Sequence, residues 1–244
     1  MNAATMNLTS AKVACRDCSV HQLCLPNGID EADLARLDGI VERPQPMAAR
    51  RHLYFMGDNF RSVYVVRSGS IKTYVPSLDG VEQVTGFYWP GEIVGLEAIT
   101  IGAHACSAQA LERTSVCELP FSRLDALADD LRSLGRRLLQ ILGREIHRDQ
   151  QVFTILGKPS AEQRIAAMLL NISSRLKQRG FADHEFRLSM SRHDIGSYLG
   201  LAYETVSRVF SRFQRQGLLL VEHRQVCIRD MAGLRIVAGS ALAR

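Results

Sequence analysis

With 244 residues, 46% of them hydrophobic and 23% charged, the chain has room for one large or two ordinary domains and the balance of a soluble globular protein, which excludes a largely disordered one. No run reaches the ~18 consecutive apolar residues of a membrane span and Met1–Ala14 lacks the apolar core of a signal peptide, so a cytoplasmic protein with no membrane partner is expected. The net charge of +5 is unevenly placed: residues 160–244 hold 13 Lys/Arg against 7 Asp/Glu and residues 1–159 hold 17 against 18, and a basic C-terminal surplus is the footprint of a nucleic-acid-binding end.

Three of the six cysteines, Cys15, Cys18 and Cys24, fall within ten residues near the start. In a reducing compartment such a cluster reads as metal ligands or redox sensors rather than disulfides. A C-x2-C-x5-C run supplies three thiolates to a soft metal centre, so a fourth ligand is needed from elsewhere, and spacing alone does not choose among Cys106, Cys117 and Cys227. Pro26-Asn27-Gly28 reads as a turn and Asp30 to Leu37 as a short amphipathic helix with acids in its first turn, stopped by Pro44 and Pro46. From Arg50 to Phe121 the pattern changes to short β-rich runs: Ser62–Arg67, Ser70–Val75, Gln83–Tyr88, Ser107–Leu111 and Ser115–Leu119. They are separated by glycine-containing turns, the layout of a sandwich or rolled barrel.

Arg123 to about Leu156 has helix-favouring composition and no proline. Gly135, Leu139, Leu142, Ile146, Asp149, Phe153 and Leu156 repeat with the 3.5-residue period of a coiled-coil seam, while Leu131, Leu134, Leu138 and Ile141 fall on a neighbouring face. One stripe is expected to meet a partner helix in a homodimer and the other to pack on the β domain; the alternative is one broad face buried within the monomer. Asp149 puts a carboxylate where an apolar knob is expected, so in a symmetric pair like charges approach at a low-dielectric seam and weaken it, unless the side chain leans out to solvent.

Lys158-Pro159-Ser160 breaks that helix and opens another, with Ser160 as the N-cap before Ile165, Met168, Leu169 and Ile172. Ser191 to Asp194 has the S-x-x-D form of a helix start, Ile195, Tyr198 and Leu199 give one buried face, and Gly200 supplies the left-handed stop. A second helix from about Tyr203 to Gln216 follows at once, completing a helix-turn-helix. Its packing face is Val206, Val209, Phe210 and Phe213. The opposite face presents Glu204, Ser207, Arg208, Ser211 and Arg215, a set able to read base edges: arginine pairs bidentately with guanine and glutamate accepts from cytosine. Leu218–Val221 and Val226–Arg229 around His223-Arg224-Gln225 read as a β-hairpin wing.

Several segments together, among them Cys15-Arg16-Asp17-Cys18-Ser19, Arg67-Ser68-Gly69-Ser70-Ile71-Lys72-Thr73, Cys117-Glu118-Leu119-Pro120-Phe121 and Asp194-Ile195-Gly196-Ser197-Tyr198-Leu199-Gly200, resemble the Crp–Fnr family of bacterial transcription regulators, in its oxygen-responsive Fnr/Anr branch. The resemblance covers nearly the whole chain. It implies an α+β architecture: a cysteine-rich N-terminal segment (1–28), a β-roll sensor of the cyclic-nucleotide-binding jelly-roll kind (29–122), a long dimerisation helix (123–157) and a winged helix-turn-helix (158–244).

The resemblance also identifies Cys117 as the fourth ligand, joining Cys15, Cys18 and Cys24 around one 4Fe-4S cluster per subunit and leaving Cys106 and Cys227 as spare thiols. In the family, oxygen converts the cluster to 2Fe-2S and then to apo-protein, and the dimer falls apart. Asp149 aligns with the family's acidic seam residue and Ser19 with a position that tunes oxygen reactivity. Leu23 and Leu25 are expected to limit access of water and oxygen, and His21 to face solvent. Glu204, Ser207 and Arg208 align with the base-contacting trio, implying a palindrome like TTGAT-N4-ATCAA, while Tyr203 stands where relatives commonly carry Val. Contacts with RNA polymerase are implied through exposed loops such as those around Gly80 and Arg113.

The Crp branch binds cyclic AMP with a Glu and an Arg whose positions here hold Leu96 and Cys106, so no cyclic nucleotide is expected. No second acid–base or phosphate-cradling constellation is present in the β region, and no enzyme is expected. The competing readings are a structural zinc site on the same reader, for which C-x5-C is looser than usual spacing, and an Fe–S enzyme or a cyclic-nucleotide-controlled subunit.

Overall fold

Residues 13–77 and 79–239 are described by a computed structural model; residues 1–12 of the cysteine segment, Leu78, and residues 240–244 at the end of the DNA reader lie outside the described residues. The chain enters through a single 3-10 turn, Cys15–Asp17, and a helix α1, Glu31–Ile40. Asp30 caps α1 by accepting from the Asp33 amide at 2.9 Å.

Seven strands follow: β1 His52–Tyr54, β2 Ser62–Ser68, β3 Ile71–Pro76, β4 Glu82–Tyr88, β5 Ile93–Val94, β6 Ser107–Ala110 and β7 Ser115–Pro120. They form two antiparallel sheets, ordered β1-β6-β3-β4 and β5-β2-β7. Tyr54, Val66, Ile71, Val94, Ala108 and Val116 fill one core of this β-roll, while Val63, Val65, Ile93 and Leu119 belong to a separate core shared with the helices. Strand β2 is thus buried on both faces, which explains its nearly unbroken apolar run. Strands β1 and β5, three and two residues long, are too short to show the alternation by which strands are read from sequence. Gly69 turns β2 into β3 with φ +79°; a Cβ there would lie 2.5 Å from the Arg113 carbonyl oxygen, so only glycine fits.

The segment expected as one helix from Arg123 is two: α2, Phe121–Asp130, and α3, Arg132–Leu156, separated by Leu131 in an extended conformation. Asp129 and Asp130 sit at the carbonyl end of α2, where negative charge opposes the helix dipole, and Asp130 pairs with Arg36 of α1 at 2.6 Å. Composition without proline gave no sign of this break. Leu124, Leu127, Leu131, Leu134 and Ile141 then pack beneath the β5-β2-β7 sheet with Leu34 and Leu37 of α1.

Beyond α3 come α4 (Ala161–Lys177), β8 (Glu185–Arg187), α5 (Arg192–Leu199), α6 (Tyr203–Arg215), β9 (Leu219–Glu222), β10 (Gln225–Ile228) and α7 (Met231–Val237). Ser160 with Gln163, and Ser191 with Asp194, form capping boxes, and Gly200 ends α5 at φ 64°. The wing hairpin β9–β10 gains a third strand, β8, not read from the sequence. The core of this half, built on Ile165, Leu169, Ile195, Val206, Phe210 and Phe213, continues into Tyr74, Val84, Phe87 and Trp89 of the β-roll. Phe87 meets Tyr198 with ring centroids 5.0 Å apart, Ser197 accepts from the Val84 amide at 2.8 Å, and Lys72 donates to Asp194 at 3.0 Å.

Candidate functional site

Cys15 and Cys18, in the entry turns, Cys24, and Cys117 in the middle of β7 line a single pocket, walled by Leu25, Leu37, Val65 and Leu119. All four cysteines are half-buried. The loop is wound by successive backbone bonds, His21 to Cys18 at 3.0 Å, Leu23 to Val20 at 3.0 Å and Cys24 to Val20 at 3.1 Å, and pinned by buried Val20 and Leu25. Cys106 lies elsewhere, in the β-roll core, and Cys227 lies on the wing. His21, expected to face solvent, instead stands half-buried on the pocket wall. Ser19 is exposed, and neither it nor Leu23 lines the pocket; Leu23 packs on Gly91, where a Cβ would come within 2.7 Å of its own.

Three arginines surround these thiols. Arg43 pairs with Asp38 and directs Nη2 to Cys15 Sγ at 3.5 Å; Arg67 lines the pocket; Arg137 of α3, buried, donates from Nη2 and Nε to the Cys24 carbonyl at 2.9 and 3.2 Å. Burial, with Asp38 beside it, pushes the Cys15 thiol well above the usual range despite Arg43. Burial likewise pushes Cys24 up to about 12 and raises Cys117, the latter against the pull of Arg43 and Arg67. Left to themselves these groups stay neutral, and a strongly electrophilic centre is what would draw off their protons. Among the described residues no three His, Cys, Asp or Glu side chains converge closely enough to hold a single ion. Four thiols lining one apolar pocket and flanked by cationic guanidiniums fit an anionic iron–sulfur cluster whose irons each take a separate thiolate.

On α6, Glu204, Arg208, Ser211 and Arg215 are exposed and Ser207 is half-buried, opposite the buried Val206, Val209, Phe210 and Phe213. Ser207, Arg208, Ser211 and Arg215 border a groove of about 500 Å³ against the start of α4; Glu204 stands outside it. Ser211 donates to the Ser207 carbonyl at 3.0 Å, and Arg212, which the sequence reading passed over, pairs with Glu162 at 2.6 Å. On α3, Leu139, Ile146 and Phe153 are 70%, 60% and 73% exposed, with Leu142 and Asp149 also exposed among them, so this apolar stripe has no cover within one copy.

The pattern of the cyclic nucleotide-binding domain matches residues 44–130 and that of the Crp-like helix-turn-helix domain matches residues 163–236. The transcriptional activator Anr of Pseudomonas protegens is 50% identical over 228 residues, covering 93% of each chain. The fumarate and nitrate reduction regulatory protein of Escherichia coli is 44% identical over 227 residues, 93% of this chain and 91% of that one. This chain belongs to the Crp–Fnr family. FixK2 from Bradyrhizobium japonicum shares its fold with a TM-score of 0.74 and 30% identity, over 84% of this chain and all of that one. Crp–Fnr members are transcription regulators rather than enzymes, and the helix-turn-helix makes this one a DNA-binding protein. No described helix is long and apolar enough to cross a membrane.

Beside the buried Tyr54, His104 and Cys106 of this Crp–Fnr β-roll stands an exposed carboxylate. Glu97 Oε1 accepts from the Tyr54 hydroxyl at 3.3 Å and lies 3.3 Å from His104 Nδ1 and 3.6 Å from Cys106 Sγ, with Tyr54 and His104 stacked at 3.5 Å. The functional residue that sequence reasoning missed is Arg137. Its only signal was a charge beside the apolar stripe Leu134, Leu138 and Ile141, on the side of the helix facing the β domain.

Proposed function

We propose that the protein is an oxygen-responsive transcription regulator in which Cys15, Cys18, Cys24 and Cys117 hold one 4Fe-4S cluster per subunit. In this reading the homodimer forms along Leu139, Leu142, Ile146, Asp149 and Phe153 and binds TTGAT-N4-ATCAA-like operators when oxygen is absent. The observation that carries the reading is the meeting of Cys117 with the three N-terminal cysteines in one pocket, beside an α3 arginine bonded to the cysteine loop. When bound, the group supplies an oxygen-labile anionic centre that ties the loop to β7.

The chain's own residues do the rest. Arg43, Arg67 and Arg137 offset the negative charge, and Leu25, Leu37 and Leu119 keep water out. Arg137 holds the loop carbonyl against α3, so ordering the loop orders the helix whose far face carries the seam. Glu204, Ser207 and Arg208 read base edges, with Ser211 and Arg215 beside them. The loops around Gly80 and Arg113 are the surfaces offered to RNA polymerase. The β-roll takes no cyclic nucleotide: Cys106 and Leu96 offer no countercharge to a phosphate, and the exposed Glu97 carboxylate beside Cys106 repels one.

Anaerobic purification tests this directly. A brown protein containing iron and sulfide, whose visible absorbance and operator footprint both fade in air, is expected; Cys117→Ala should lose both while Cys106→Ala and Cys227→Ala keep them. A colourless protein after anaerobic iron–sulfide reconstitution, or one carrying zinc and binding the operator equally in air, would overturn it.

A further inference from the structure

A second large cleft lies between the β4–β5 turn, α3 and α4 and encloses about 490 Å³, within the size range of small-molecule sites. Its walls carry five cationic side chains, Arg144, Arg148, Lys158, Arg175 and Arg179, against two carboxylates, Glu92 and Glu145. Glu92 is fully engaged: buried, it accepts from Arg175 at 2.7 Å and from Arg179, and lies 3.3 Å from Arg148. One carboxylate cannot neutralise three guanidiniums, and Glu145 reaches only Arg148. Arg148 is shared between Glu92 and Glu145, whereas among the described residues no side-chain hydrogen bond or ion pair engages Arg144 or the Lys158 ammonium, so these two cations on the cleft wall have no countercharge.

Unspent positive charge in a concave, partly apolar cleft focuses the field on whatever enters it, and guanidinium forks match phosphate oxygens bidentately. Arg144 and Arg148 stand one turn apart on α3, and Arg175 on α4 with Arg179 in the turn just beyond it face the same space. Such an array suits several linked anionic groups better than a single one. It also stays open in a dimer: at about 100° per residue, Arg144 and Arg148 lie on the side of α3 opposite Leu142, Ile146 and Phe153.

We propose that this cleft is a binding site for a small polyanion of the oligophosphate class, held by Arg144, Arg148, Lys158 and Arg179. The site touches the dimer helix, the first helix of the DNA reader and the β-roll together, and it needs no cluster. The test is isothermal titration calorimetry of the full-length protein, prepared anaerobically, with sodium tripolyphosphate and separately with ATP. Saturable binding of one tripolyphosphate per chain is expected, weakened at least tenfold in the double variant Arg144→Gln/Lys158→Gln and unchanged in Arg208→Ala/Arg215→Ala, which removes cations from the operator-facing helix instead. Tighter binding of ATP would support the site and assign its apolar wall to a base; equal binding would support it as a reader of the phosphate chain alone. Absence of saturable binding by either probe overturns the proposal, as does binding that survives in the cleft variant and is lost in the reader variant. Unchanged thermal melting of both variants, expected because neither Arg144 nor Lys158 carries a structural contact, ensures that lost binding reports the site.

Discussion

Glu92 is the point at which the β-roll, α3 and the DNA reader are held together, and its removal has a calculable cost. The carboxyl is 8% exposed. Burial alone would push its pKa up, but Arg175, Arg148 and Arg179 outweigh that and hold it at about 2, against an ordinary 4.5. The gap corresponds to about 3 kcal/mol at neutral pH. That agrees with the roughly 3–5 kcal/mol lost when one partner of a buried ion pair is deleted and the other charges stay behind. Because the folded pKa is depressed, this stability is fully present above about pH 4.5 and lost as pH falls toward about 2. Glu92→Gln keeps the shape and an acceptor for the Trp89 amide but leaves Arg175 and Arg179 unopposed and Arg148 with Glu145 alone. Urea unfolding can be followed by the fluorescence of Trp89, the only tryptophan in the chain, whose ring lies 4.3 Å beneath Arg175. The wild type should exceed the variant by about 3 kcal/mol at neutral pH, with the difference closing progressively below about pH 4.5. A difference under about 1 kcal/mol, or one unchanged down to about pH 2.5, would show that the arginines find other partners and refute the reasoning.

Further consequences can be checked one by one. Asp149→Ala removes the like charge from the seam and should yield a dimer in air by sedimentation velocity; an unchanged monomer would show that the carboxylate lies away from the partner. Arg208→Ala should cost about 1–3 kcal/mol on the proposed operator and little on scrambled DNA, read by fluorescence anisotropy; an equal loss on both sequences would reduce it to a phosphate contact. Gly91→Ala places a Cβ 2.7 Å from that of Leu23 at a φ of +88°, so about 1–3 kcal/mol of strain should appear as a lowered melting temperature. Arg137→Leu should leave the proposed cluster assembled but weaken anaerobic dimerisation at least tenfold, with absorbance and sedimentation measured on the same sample; normal dimerisation would reduce Arg137 to a local packing role.

What was legible in the sequence follows from how local each signal is. The N-cap at Ser160, the capping box opened by Ser191 and the stop at Gly200 are set by residues three to nine positions apart, and the structure has each where it was read, adding Gln163 to complete a box at Ser160. The seam stripe is a periodicity within one helix and survives as an exposed face. The break at Leu131 was passed over because no proline or glycine marks it; the local sign was Asp129-Asp130, two carboxylates at the carbonyl end of α2, and Asp130 pairs with Arg36 of α1 across 94 residues of chain. For the fourth cysteine the cause is not local. Nothing around Cys117 marks it as different from Cys106, and only the antiparallel register that sets Cys117 opposite Val65 brings it to the N-terminal loop. Cys106, one strand earlier, faces Glu97 within the β-roll instead.

That geometry also constrains how a change at the cysteines could reach the dimer. Arg137 lies about 180° around α3 from Ile146, so no side chain touches both the cysteine loop and the seam. The helix must carry the signal as a body. With the loop ordered, the buried guanidinium is satisfied by the Leu23 and Cys24 carbonyls and by Gln140 at 3.3 Å. With the loop released, it keeps only Gln140 and must tilt toward water to recover its hydrogen bonds. A charged hydrogen bond is worth about 1.5–3 kcal/mol, and the three that Arg137 gives to the two loop carbonyls are lost together and regained in part from water. In the proposed reading a net change of about 1.5–3 kcal/mol moves the association equilibrium by roughly 10- to 100-fold, enough to bear on a seam that carries Asp149. On that reading the seam carboxylate and the buried arginine are matched, and together they set the dimer within reach of a loop of ten residues.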